Sequence, residues 1–538
     1  MEKKFDRSSA WYKSLPPESC AYTTSKVRIP MSDGLNLVAD LYEPSGLPST
    51  TKPHGLILVI SCYSRGGVMS MMNAVIFAAR GYTVLFASSR GTFGSEGVFV
   101  PGMSEETDSQ DIVKWMRNQP WYPGKFATFG ASYLGYTQWA LLQNPPEDLV
   151  ASIILAAPHD HARHNWDKGV FRMDRIAWNY LVAFQEELGA GAGRFLAAGE
   201  MRDAVYNALP LIDAVEGFFK GKAPWMRQFM TTTDIDDVYW RPVNHSTALD
   251  RVNIPILLGS GWYDCFNYQT FSQYKRLRDR GCKVDLTVGS WTHFDACGIH
   301  SMVDVLDFLG HHLTGREEER RVSSVKIYVT GAEAWRDLAT WPPSTELMTF
   351  FLQGDKSLSK QDSGAEPLAG TFVYDPQNPT PTLGGCLLGG GGRVDDTAYT
   401  SRSDVLVYTG QPLIENTEVM GRPSVHLTHT TDIPYADLWV RLSEVDIDGV
   451  SHNVTETFQA LNTKPGDVSI SLELQDCAHV FKKGTCIRLV ISGGSFPLMA
   501  RNLGTEGNRT MKKEMRSVTH SIQHDGMSRL ELPCLSTT

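Results

Sequence analysis

Hydrophobic positions in the first half of the chain come in short unbroken runs: "GLILVIS" (55–61), "YTVLFAS" (82–88), "KFATF" (125–129), "ASIILAA" (151–157), "IPILLGS" (254–260) and "KVDLTVG" (283–289). A strand with one face in water alternates apolar and polar residues, so unbroken runs predict strands buried on both faces. Segments of helical period lie between them: "VMSMMNAVIFAAR", closed by Gly81, and "DSQDIVKWMRN", in which Ile112, Trp115 and Met116 share one face. Alternating strand and helix predict an α/β domain, a mostly parallel sheet covered by helices on both faces. Ahead of it, "VRIPMSDGLNLVADLY" alternates on both sides of Asp33-Gly34, which predicts a hairpin and an antiparallel start to the sheet.

The pattern changes twice. Between about Pro158 and Asn244 the strand runs stop and aromatic, helix-prone sequence such as "RMDRIAWNYLVAFQEELGAG" takes over, which predicts a helical cap (159–244) inserted into an α/β domain of residues 1–158 and 245–343. After about Ser344, short alternating segments such as "VHLTHTT", "ADLWVRLSEVD", "NVTETFQAL", "SISLELQD" and "TCIRLVIS" are separated by turns. Leu438, Val440 and Leu442 fall on one face of their segment, and the spacing predicts a β-sandwich or jelly roll over 344–538. The glycine run at 389–392 reads as a loop within that domain.

Composition narrows the function. A chain of 538 residues accommodates about three domains, and 42% hydrophobic with 20% charged residues is that of a globular protein. The formal charge of -10 is mild and no Lys/Arg block is present, which argues against nucleic acid as a partner. The start, "MEKKFDRSSAWYK", has no apolar segment after its lysines, and no apolar run approaches the ~20 residues of a membrane span. The expectation is a soluble, cytoplasmic protein. Its nine cysteines, odd in number and without C-x-x-C pairs, read as free thiols.

The chemistry centres on "TFGASYLGYTQ" (128–138). Ser132 follows a predicted strand directly and precedes a predicted helix, flanked by glycines as G-x-S-x-x-G; this is the context of a nucleophile elbow, and equally that of a glycine-flanked turn. A serine hydroxyl needs a base, and the base needs an orienting acid. "IPILLGSGWYD" ends a strand at Asp264 and "KVDLTVGSWTH" ends the next at His293, in the order Ser, Asp, His. Each alone reads as a cap or a satisfied polar group; together they predict a triad. An oxyanion also needs donors. The backbone N–H of Tyr133, next after the serine, is one; the loop after the first run reads "CYSR", where Tyr63 is either a phenol donor or a packed aromatic.

"GASYLGYTQW", "SRGTFGSEGVF", "GWYDCF", "GSWTHFD" and "GAEAWRDLATWPP", in this order, resemble the cocaine esterase and X-prolyl dipeptidyl peptidase family of α/β-hydrolases, from about Val27 to "SGGSFP". The resemblance implies an α/β-hydrolase domain with a helical cap and a C-terminal jelly roll, no metal and no cofactor. It implies Ser132, Asp264 and His293 as the triad and Tyr63 as the side-chain oxyanion donor. By the pattern "GWYDxF", it places Phe266 in the substrate pocket, with Trp166 and Trp178 of the cap. His159 and His161 of "HDHARH" read as pocket-lining or as solvated loop residues, and the spacing of His159, His161 and His164 is also metal-like. Asp234, Asp236 and Asp237 read as a capping acidic loop or as a site for a substrate ammonium. The expected activity is hydrolysis of a small-molecule carboxylic ester through an acyl-enzyme. Amide or peptide cleavage, acyl transfer in natural-product tailoring, and a homodimer are the open alternatives.

Overall fold

The structure, a computed structural model, describes residues 10–47, 52–196, 199–317, 321–362, 369–462 and 468–535. Ten strands form the first sheet: β1 (Ala21–Pro30), β2 (Asn36–Ser45), β3 (Leu56–Ser61), β4 (Thr83–Ser88), β5 (Phe126–Ala131), β6 (Leu149–Leu155), β7 (Ile256–Tyr263), β8 (Val284–Thr292), β9 (Val325–Val329) and β10 (Ala334–Leu338). Their order is β1-β2-β4-β3-β5-β6-β7-β8-β9-β10. β1–β2, β2–β4 and β9–β10 pair antiparallel, and every pair from β4–β3 to β8–β9 is parallel.

The unbroken apolar runs do divide between two faces. In β3, Leu56, Leu58 and Ile60 enter one core while Ile57 and Val59 enter the other, and β4 splits its Leu85 and Ala87 from Val84 and Phe86 in the same way. At the Asp33-Gly34 turn, Gly34 takes φ +88° and its N–H donates to Met31 O (3.1 Å), so a residue tolerant of positive φ is required there. β9 and β10 extend the sheet past the runs identified in the sequence. Their signal is weak because β9 alternates burial over five residues only, with Val325, Ile327 and Val329 inward.

Between β6 and β7 the chain leaves the sheet for a helical region that includes Asp174–Leu188, Leu211–Phe219 and Met226–Thr231, packed round its own core of Trp166, Phe171, Ile176, Phe219, Phe229 and Trp240. Residues Glu346–Cys534 build a second, 13-stranded β-structure. Leu438, Val440 and Leu442 enter its core together, as their spacing predicts. The opposite face of that strand is buried too. Trp439 packs with Val170 of the cap region, and the fully buried Arg441 guanidinium holds Glu456 (2.5 Å).

The β-domain is welded to the first sheet. Met420, Ala478 and Val480 share a core with Trp262, Val329 and Trp341, and Trp341 Nε1 donates to Asp476 Oδ1 (3.0 Å). Lys168 of the cap region reaches Thr457 Oγ1 (2.7 Å).

Candidate active site

Ser132 sits where β5 turns into the helix Tyr133–Leu141, at φ +56°, ψ −123°, a conformation L-residues rarely adopt. Steric packing explains the glycines. A Cβ on Gly130 would lie 2.5 Å from Leu134 Cβ, and one on Gly135 2.5 Å from Ala157 Cβ, so a side chain at either would push helix from sheet. The turn is pinned by Ser132 N–H donating to Leu155 O (2.8 Å).

β7 and β8 end beside it. Asp264 follows β7 and His293 follows β8, both buried. His293 Nε2 lies 3.0 Å from Ser132 Oγ, and Nδ1 lies 2.7 Å from Asp264 Oδ1. Ser260 Oγ donates to Asp264 Oδ2 (2.8 Å) and the Phe266 N–H to Oδ1 (3.1 Å), so the carboxylate is held from two more sides. Burial disfavours a charged imidazole. The surrounding Cys297 and Cys265 thiols and the Asp264 carboxylate outweigh that penalty and hold His293 above its ordinary pKa. Cys297 Sγ, 3.5 Å from Nε2, is a neighbour that no motif announces.

Tyr63 follows β3 and turns its hydroxyl to the cap, where Trp178 Nε1 donates to it (2.8 Å). Burial pushes the phenol's pKa up, so it stays protonated. The Tyr133 N–H opens its helix and has no acceptor within it. Below, the Tyr133 hydroxyl donates to Glu105 Oε1 (2.6 Å) and accepts from Gly102 N–H (2.9 Å). Burial raises the Glu105 carboxyl to about 7. Glu105 was invisible in the sequence because it opens a helix like any first-turn acid.

Tyr133, Trp178, Val182, Phe266 and Leu388 form one buried apolar cluster, with Tyr63 and Leu196 packed on it. Phe266 and Trp178 thus join the wall beside the serine and histidine, and Phe266 lies 5.3 Å from the His293 ring. His161 stands behind this wall against Tyr136 (4.1 Å). Two other sequence candidates lie elsewhere. Trp166 is consumed by the cap core, donating to Phe229 O (2.8 Å), and His159 is fixed by Gln273 (3.1 Å) at a separate cleft shared with Arg163 and Tyr268. Both are buried by local packing, which a motif does not report. The glycine run 389–392 does more than close a loop of the β-domain. Gly389 lies so near the cap that a Cβ would meet Leu196 O at 2.7 Å, and residues 387–391 line a cavity of about 680 Å³ with Ala177, Phe294 and Leu498.

Asp234, Asp236 and Asp237 are exposed, and two of them spend their carboxylates on their own turn: Asp234 accepts from Asp236 N–H (3.0 Å) and Asp237 from Tyr239 N–H (2.8 Å). Among the described residues, one group has a metal-like composition, Asp264, Cys265 and His293, and the His–Asp hydrogen bond already joins two of its members. His159, His161 and His164 do not form such a group.

A parallel sheet in this order, with a serine at a strained strand-to-helix turn, and an aspartate and a histidine at the ends of later strands, defines an α/β-hydrolase. Two family models match the chain in succession: X-Pro dipeptidyl-peptidase (S15 family) over residues 33–295, and the X-Pro dipeptidyl-peptidase C-terminal non-catalytic domain over 320–530. The chain belongs to this family of serine hydrolases. The second match begins before β9, so the strands β9 and β10 that it contains complete the first sheet. The chain is similar to the cocaine esterase of Rhodococcus sp. (strain MB1 Bresler), 28% identical over 569 residues, covering 95% of this chain and 98% of the relative. Two solved structures share the fold over nearly its whole length. An aminopeptidase from a marine sediment archaeon, Thaumarchaeota archaeon, has 23% identity and a TM-score of 0.82, covering 99% of this chain and 100% of that one. An α-amino acid ester hydrolase has 20% identity and a TM-score of 0.80, covering 97% and 98%. Among the described residues no helix is long and apolar enough to cross a membrane.

Proposed function

We propose that this protein hydrolyses a carboxylic ester of a small molecule through an acyl-enzyme on Ser132. The observation that carries the reading is the line from Ser132 Oγ to His293 Nε2 (3.0 Å) and from His293 Nδ1 to Asp264 (2.7 Å) at a strained elbow. His293 takes the serine proton as Oγ attacks the carbonyl carbon, and Asp264 fixes the tautomer that leaves Nε2 free to accept it. The Tyr63 hydroxyl and the Tyr133 N–H stabilise the oxyanion. His293 then protonates the leaving alcohol. Water, deprotonated by the same imidazole, releases the acid and restores the serine.

The similarity to a cocaine esterase supports the ester reading, and the family's name supports peptide cleavage as the alternative. The ester is favoured because Asp234, Asp236 and Asp237 are all exposed, and Asp234 and Asp237 are bound to their own backbone, leaving the stretch no buried carboxylate to offer an N-terminal ammonium. All nine cysteines are free, which fits the cytoplasm, the compartment we assign to it. A fluorophosphonate probe should label the wild type and leave Ser132→Ala unlabelled, with p-nitrophenyl esters turned over faster than aminoacyl anilides. Equal labelling of the variant removes the nucleophile; anilides turned over faster move the protein to the peptidase reading.

A further inference from the structure

The free nitrogen of His293 has two neighbours, and only one of them is Ser132. His293 opens a short helix, His293–Ala296, and Cys297 caps its far end. Residues four apart share a helix face. The Cys297 N–H donates to His293 O (2.9 Å), and the thiol lies against the ring, with Sγ 3.5 Å from Nε2. Ser132 Oγ lies 3.0 Å from the same atom. Nδ1 faces the Asp264 carboxylate (2.7 Å), which can only accept, so Nδ1 carries the proton and Nε2 offers a single lone pair. An O–H and an S–H therefore contend for one acceptor.

Cys297 combines a base in reach with access to solvent. It is half-buried, as are Cys20 and Cys282, but those two donate to the carbonyls of Ala78 (3.4 Å) and Val252 (3.5 Å). Cys265, beside Asp264, also interacts with the imidazole, yet burial pushes its pKa up to about 11 and it stays a thiol. Burial alone would lower the His293 pKa; Cys297 is the largest influence raising it, ahead of Cys265 and Asp264. From the other elements packed round the ring, the Tyr63 phenol after β3 and His164 of the cap are both kept neutral by burial. Asp295, on the same short helix, is spent on Thr292 Oγ1 (2.6 Å).

We propose that Cys297 competes with Ser132 for His293 Nε2, so that one imidazole serves two alternative nucleophiles and the thiol restrains the esterase whenever it holds the base. In that state the S–H bond breaks, the proton joins Nε2 and the electron pair stays on sulfur, leaving a thiolate against an imidazolium. The imidazolium has no lone pair to take the serine proton. The thiolate attacks soft electrophiles, which the serine does not. This inference rests on the Ser132 hydrolase reading and adds a control on that site.

The test uses iodoacetamide on the full-length protein. A C–S bond forms as iodide leaves, and His293 returns its extra proton to water. Mass spectrometry locates the modified cysteines, esterase activity is followed alongside, and fluorophosphonate labelling reports Ser132 separately. In the wild type, Cys297 should be alkylated ahead of Cys20 and Cys282, with activity lost in step. Ser132→Ala leaves Nε2 to the thiol, so its Cys297 should react about 2- to 10-fold faster, the range of one net hydrogen bond. His293→Gln should slow Cys297 to the rate of the other two. On the esterase side, Cys297→Ala and Cys297→Ser both remove the acid that charges the imidazole. The acid limb of kcat/KM should move down by about half to one pH unit in each, raising the rate at about pH 5.5 by about 3- to 10-fold. Alkylation no faster in Ser132→Ala than in wild type, or a limb that stays in place in both Cys297 variants, overturns the competition. A limb that moves in Cys297→Ala but not in Cys297→Ser makes the thiol packing and overturns it too. Fluorophosphonate labelling that fails in the wild type, with the Ser132→Ala acceleration intact, removes the hydrolase reading and leaves the competition standing.

Discussion

Trp178 Nε1 donates a 2.8 Å hydrogen bond to the hydroxyl of Tyr63. An indole N–H can only donate, so the phenol oxygen is the acceptor in this pair and its own proton is left for another oxygen. The cap thereby fixes the hydroxyl of a tyrosine that follows β3.

From that pairing, Tyr63→Phe should lower kcat by about 10²- to 10³-fold on an ester whose chemical step limits turnover, with KM little changed. The ring and its packing stay, so Tm should hold. Trp178→Phe, which frees the phenol to rotate, should lose less. Near-wild-type kcat in Tyr63→Phe would reduce the tyrosine to packing.

His293 must be neutral to accept the serine proton, so kcat/KM falls as pH drops through its pKa. Because that pKa is raised, the acidic limb should lie above the ordinary histidine value of about 6.5. Asp264→Asn removes the carboxylate that favours the imidazolium; it should shift the limb to lower pH and cut kcat by about 10⁴-fold through the wrong tautomer. A pH–rate profile of both proteins checks the sign.

Glu105, raised to about 7 from an ordinary value of 4.5, couples stability to pH in the opposite sense to a salt-bridged acid. Between those values the unfolded chain has lost the proton and the folded chain keeps it, so stability falls as pH rises, by up to about 3 kcal/mol. Glu105→Gln keeps an acceptor for the Tyr133 hydroxyl and should flatten this slope. Urea unfolding at pH 5 and pH 8 compares the two; parallel slopes would refute the coupling.

A chain ending at Pro343 should not fold to a soluble, active enzyme. Trp262, Val329 and Trp341 would lose Met420, Ala478 and Val480 from their shared core, and Trp341 its Asp476 partner. A soluble truncation with full esterase activity would show the β-domain to be dispensable.

Local physics made much of this legible in the sequence. Runs such as "LILVIS" are apolar throughout because two layers of helix cover them, and burial on both faces leaves that trace in any single strand. The elbow was legible for a similar reason: Gly130 and Gly135 answer to contacts with Leu134 and Ala157, close to them in sequence or just past the end of the next strand. Asp264 and His293 were found because a parallel sheet delivers the ends of its strands to one edge. What the tertiary structure alone decided is which side chains meet across long separations. Trp166 and Trp178 looked alike, yet one fills the cap core and the other bonds Tyr63, since the helix orientation sets which ring points down. Glu105 and Leu388 carry no motif, and their importance arises from burial, a property of the packed chain. A charge reads the same in sequence whether water or a protein interior surrounds it, and only the fold determines which.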